Sequence, residues 1–166
     1  MMKKYELTSE FKINNLGIKI FRIKALVDIE SCGVKACDLG GFIEKEDNLS
    51  HEGNAWVYGD ARVYGDACVS GNACVYGDAC VSGNACVNGD ADYAVIKGFG
   101  TVYRPTTFFR CHDGEARVTC GCFYGTIDEF REQVKRTRKG KVADEYLKIA
   151  DLMEYHFKKE DSGENV

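Results

Sequence analysis

Chemistry in this chain would have to come from its nine cysteines, its three histidines or a short basic run. Cys68, Cys74, Cys80 and Cys86 recur every six residues, each between an alanine and a valine. Side chains alternate faces along an extended segment, so these four point away from the valines. Only Cys68 and Cys86, 18 residues apart, can share a face if the chain turns three times per circuit. A zinc ion needs ligands that converge tetrahedrally, which this array does not offer, so the four read as small polarisable surface residues. Cys111 and His112 opposite Cys120 and Cys122 are better placed across an expected hairpin. However, adjacent Cys-His and Cys-x-Cys lack the two-residue spacing of a zinc knuckle, and packing beneath helices is favoured. His51, His112 and His156 fall in three separate segments, which disfavours a converging catalytic trio. No metal, cofactor or catalytic residue is assigned.

Binding residues are easier to nominate. Trp56, Tyr58, Arg62, Tyr64 and Tyr76 occupy positions that the repeat turns outward. Exposed aromatics on a rigid wall mark a contact surface, either for self-association or for stacking a planar ligand whose charge Arg62 meets. The second candidate is the basic run Lys135, Arg136, Arg138 and Lys139, continued by Lys141 and preceded one turn earlier by Arg131. In a chain of net charge -4 such a cluster could neutralise phosphates, although cations also sit favourably at a helix C-terminus. Aspartates at 60, 66, 78 and 90 would repel a long nucleic acid, so a small anion is the expected partner.

The elements that must position these residues are organised around Ala55 to Asp90, where Ala-x-Val-x-Gly-Asp/Asn is written six times. A period of six fits neither a 3.6-residue helix nor two-residue hairpins and is a repeat signature. Ala and Val, two apart, share a face; Gly then Asp or Asn supplies a corner, because these residues tolerate positive φ. The frame resembles the hexapeptide repeat of left-handed parallel β-helices, three units to a triangular turn. That resemblance implies the hand, the three-sided section, stacking of residues 18 apart at about 4.8 Å, and commonly a homotrimer.

Many such proteins are CoA-dependent acyltransferases with a histidine base on a projecting loop. Here no loop interrupts the repeats, and the nearest histidine, His51, falls at an inward position with Leu49 able to fill the core instead. A base must reach its proton, so acyl transfer is the runner-up. The runs Gly40 to Glu44, Asn48 to Ser50, Gly53 to Val57 and Cys120 to Gly125 are also similar to hexapeptide-repeat proteins of phages and prophages of Gram-positive bacteria. This resemblance implies a phage genomic context and hence a host cytoplasm as setting; a host defence protein is the partner expected on that basis.

Two caps are expected around the repeats. Residues 4 to 28 alternate apolar and polar around Asn14-Asn15 and Gly17, the marks of a hairpin. Residues 106 to 111 and 116 to 120 flank His112-Asp-Gly114 as a second hairpin. Thr126-Ile-Asp-Glu129 is a capping box for a helix running to about Lys139 and stopped by Gly140. Val142, Tyr146, Ile149, Met153 and Phe157 then share one face of a second helix. The tail after Lys159 is polar and expected to be loose. The divisions are thus 1–48, an N-terminal cap and irregular leading segment; 49–98, the repeats; and 99–166, hairpin, helices and tail. No signal peptide or membrane span is legible, and an odd number of cysteines suits reduced thiols in a cytoplasm. The expected protein is a mainly β, left-handed β-helical, non-enzymatic binder that antagonises host defence by sequestering a nucleotide-type signal in a groove between subunits of its oligomer. A structural or host-protein-binding module is a further alternative.

Overall fold

A computed structural model describes residues 2–158; the tail beyond Lys159 lies outside the described residues. Strands β1 (Tyr5–Ile13) and β2 (Lys19–Ala25) form an antiparallel hairpin. Its turn is held by the Asn14 side-chain oxygen, which accepts from the Leu16 and Ile18 amides, and by Gly17 at φ 79°. β3 (Leu39–Ile43) pairs with β2. Six two-residue strands follow, one for each repeat: β4 (Trp56–Val57), β5 (Arg62–Val63), β6 (Cys68–Val69), β7 (Cys74–Val75), β8 (Cys80–Val81) and β9 (Cys86–Val87). Strands β10 (Tyr93–Ile96), β11 (Thr106–Arg110), β12 (Ala116–Cys120) and β13 (Phe123–Thr126) make an antiparallel sheet in chain order. Helices α1 (Ile127–Thr137) and α2 (Gly140–Phe157) complete the chain.

The expected left-handed parallel β-helix is corrected by this topology. The strands fall into four separate small sheets, none of them closed and none continuing as a solenoid. The reason lies in the number of units. Six hexads permit each face only one pairing across 18 residues, giving β4 with β7, β5 with β8 and β6 with β9, all parallel. The β5–β8 pair is absorbed into the N-terminal sheet, whose order is β1-β2-β3-β5-β8, and the other two pairs stand as two-stranded sheets.

The repeats still build one core. Their alanines and valines are all 1 % exposed or less, joined by Leu49, Ile43 and Phe109. Burying each valine contributes about 1.5–3 kcal/mol, but strands this short leave backbone groups open at both ends of every face. Side chains close them. At one end the Lys4 ammonium donates to the Ala55 carbonyl at 2.7 Å and the Asn48 amide to the Ala67 carbonyl at 2.8 Å. At the other, the Cys74 amide donates to the Asp90 carboxylate at 2.8 Å and the Cys80 amide to the Thr107 hydroxyl at 3.0 Å. The Tyr93 and Thr119 hydroxyls donate to the carbonyls of Cys74 and Cys80. Ala85 bridges Cys111.

Trp56 departs from the repeat rule. It is 1 % exposed, because β3 and Tyr5 cover the position that the repeat alone would leave outward. Gly40 makes this possible, since a Cβ there would fall 2.8 Å from the indole and 2.6 Å from Ile23. The C-terminal helices pack Phe130, Val134, Tyr146, Met153 and Phe157 onto Phe108 and Val118 of the second sheet. Thr126 and Glu129 form the capping box of α1. α1 ends at Thr137, and Gly140, expected as its stop, instead opens α2 at φ 64°.

Trp56→Ala is expected to cost about 3–5 kcal/mol in urea unfolding, the signature of a core residue. Burial lowers the Lys4 pKa from 10.5 to about 8. Between these values the unfolded chain holds the extra proton, so this group makes stability rise as pH increases from 8 towards 10.5. The buried Tyr5 phenol and the half-buried Tyr58 phenol are shifted upward and oppose it above about pH 10. Lys4→Met should flatten the rise between pH 8 and 10, measured as urea midpoints.

Candidate functional site

Because Val63 and Val81 face the core, Arg62, Tyr64, Cys80 and Ser82 lie on the other side of the β5–β8 pair. Two other elements flank them. The β1–β2 turn brings Asn14 to Ile18, and the second sheet brings Thr119 to Tyr124 together with Arg104 from the β10–β11 connector. Between them is a cleft of about 620 Å³, within the range of small-molecule sites.

The cleft is rich in unspent donors. Among the described residues, neither the Arg62 nor the Arg104 guanidinium makes a hydrogen bond or ion pair within the chain. Asp78, the lining carboxylate, is paired with Lys97 at 2.8 Å, and that hydrogen bond, with a smaller contribution from the charge of Arg62, holds its carboxyl below the usual range. Burial pushes the Tyr64 phenol up to about 12, helped by the Cys80 thiol 3.4 Å away, so it stays a neutral donor. The Asn14 amide nitrogen is buried without a partner. Gly121, at φ 61°, gives Arg104 its place, since a Cβ there would collide with the guanidinium.

A smaller cavity of about 200 Å³ adjoins the cleft, sharing Arg104, Cys122 and Phe123 with it. Phe123, Phe130, Val134 and Tyr146 form its apolar side, and Arg104, Gln133, Thr137 and Arg138 form an equally extensive polar side. Phe130 meets Tyr146 edge to face at 5.8 Å, an arrangement that fixes the walls. Together the cavities offer an arginine-lined chamber beside an aromatic slot.

The nominated residues divide. Arg62 and Tyr64 line the cleft, and Arg138 lines the slot. Trp56 is buried in the core, which corrects its expected outward placement. Tyr58 and Tyr76 stack on each other at 4.3 Å on the β4–β7 face, and the Tyr58 hydroxyl donates to the Cys32 carbonyl. Arg131 is held by Asp128, Asp151 and Glu154 at 2.7–2.8 Å, which raises its pKa and leaves it committed to joining the two helices. Lys135 pairs with Glu132, Arg136 bonds Gln133, and Lys139 is exposed before α2. Arg131, Lys135 and Arg136 line one hollow of about 560 Å³ along α1 together with Asp128, Glu129 and Glu132, whereas Arg138 and Lys139 do not line it. Arg104, Phe123 and Tyr124 were missed, and Arg104 beside Pro105 carries no signal in sequence beyond its charge.

Leu49 rather than His51 enters the core. His51 stacks on Tyr5 at 4.2 Å, its Nδ1 accepts from the Lys4 amide, and its buried Nε2 lies 3.5 Å from Glu46. It does not line the cleft. Cys111 is buried while His112 and Cys122 are exposed, and among the described residues no group of three or more His, Cys, Asp or Glu could hold a metal ion. Nor is any described helix long and apolar enough to cross a membrane. In comparisons with known proteins, no family model and no curated protein matches the chain.

Arg131→Ala should lower stability by about 1 kcal/mol, since its carboxylate partners are largely exposed. A loss of stability in calorimetry is the expected outcome.

Proposed function

We propose that this chain is a non-enzymatic binding protein that captures a small nucleotide-type anion in the β5–β8 cleft. Phosphate oxygens meet Arg62 and Arg104, with Tyr64 as a neutral donor, and the base enters the slot beside Phe123 and Tyr146. The observation that carries the reading is two guanidinium groups lining one cleft without a carboxylate partner among the described residues. Arginine's planar fork suits phosphate, and a preformed chamber requires little ordering on binding. In the phage setting implied by sequence resemblance, capture withholds a host defence signal.

One observation favours a second reading, a structural or host-protein-binding module. Tyr76 is 51 % exposed on a face that does not line the cleft, where it could seat copies of this chain in a trimer.

Native mass spectrometry of the protein incubated with nucleoside phosphates separates these readings. Capture predicts a retained nucleotide that is released chemically unchanged on denaturation. Arg62→Ala or Arg104→Ala should each weaken affinity roughly 10- to 100-fold, as loss of a charged hydrogen bond would. A converted nucleotide would establish an enzyme, and defined oligomers without retention would favour the module.

A further inference from the structure

Cys32 and Cys74 meet sulfur to sulfur at 3.2 Å, the one such contact among the described residues. They come from different parts of the chain. Cys32 ends the single 3-10 turn Glu30–Cys32 in the β2–β3 connector, and Cys74 belongs to β7. Both are firmly placed. Ile29 and Val34 anchor the connector in the core, Tyr58 donates to the Cys32 carbonyl at 2.6 Å, and the Cys32 thiol lies 2.9 Å from the Asn54 carbonyl. The Cys74 backbone is fixed by β4 on one side and by Asp90 and Tyr93 on the other.

We propose that Cys32 and Cys74 are a site of covalent modification, closing into an intramolecular disulfide when a small-molecule disulfide such as oxidised glutathione is present. The Cys32 thiolate attacks one sulfur of the reagent, its S–S bond breaks and one small thiol leaves. Cys74 then loses its proton, attacks the Cys32 sulfur of the mixed disulfide and expels the second small thiol. Two protein thiols and one small disulfide thus become one protein disulfide and two small thiols. Burial pushes the Cys74 thiol up to about 11, so it holds little thiolate and acts second, where its position against Cys32 favours it.

The bond would join residues 42 apart and tie the connector to the β4–β7 face. Cross-links of this kind restrict the unfolded chain, so Tm should rise by roughly 5 °C. Neither cysteine lines the arginine cleft, so the modification is independent of ligand capture.

The test exposes reduced, folded full-length protein to oxidised glutathione, alkylates the remaining thiols and maps peptides by mass spectrometry. A Cys32–Cys74 linked pair should form before any other, with a rise in Tm reversed by dithiothreitol. Cys74→Ser should trap glutathione on Cys32, and Cys32→Ser should abolish the linked product. Recovery of both cysteines alkylated while Cys37 and Cys122 are oxidised would overturn the proposal. So would a glutathione adduct that persists on Cys32 in the unmutated chain.

Discussion

Pairing of hexads 18 residues apart is the constraint on which the remainder of this structure depends. It sets Val57 beside Val75, Val63 beside Val81 and Val69 beside Val87, leaving room for little more than valine and alanine between the faces. Strands of two residues form few ladder hydrogen bonds, and an open sheet edge is a template for unwanted pairing. The flanking sequence answers both problems with side chains. Lys4 and Asn48 close one end of the stack, while Asp90, Tyr93, Thr107 and Thr119 close the other.

That closure also creates the cleft. To reach the edge of β8, the second sheet must bring Thr107 and Thr119 against the repeats, and its neighbouring residues are carried to the outer side of the β5–β8 pair. Arg104 and Phe123 consequently stand opposite Arg62 and Tyr64, although about forty to sixty residues separate them in the chain. In a chain of net charge -4, two guanidinium groups line this cleft without an ion pair among the described residues, while its carboxylate, Asp78, is paired with Lys97. Arg131 shows the contrast, surrounded by three carboxylates and devoted to holding α1 to α2.

Local signals were legible in the sequence, and long-range ones were much less so. The six-residue period marked six strands, the resemblance to hexapeptide repeats implied their 18-residue pairing, and Asn14 to Gly17 marked a turn. Thr126 and Glu129 marked the start of α1. The inference to a β-helical solenoid failed because six units allow each face a single pairing, and nothing in the repeat carries the pairing further. Trp56 was misplaced for a related reason: its outward position is a property of the repeat, whereas its burial belongs to β3 and the two glycines that let β3 approach. Arg62, Tyr64 and Arg138, nominated for charge or phenols at marked positions, line the two cavities. Arg104 was not nominated, because its role comes from the room beside Gly121 and from strands that pair out of sequence.

The fold and the proposed activity meet in a rigid valine-filled stack with one outer face turned into a chamber by its own end cap. Photo-crosslinking with an azido-purine nucleotide tests this most directly, because it reports where the ligand sits. The account predicts label on peptides containing Arg62 to Tyr64, Arg104, or Phe123 and Tyr124. Label confined to the stacked Tyr58 and Tyr76, or to the basic segment from Lys135 to Lys139, would contradict it.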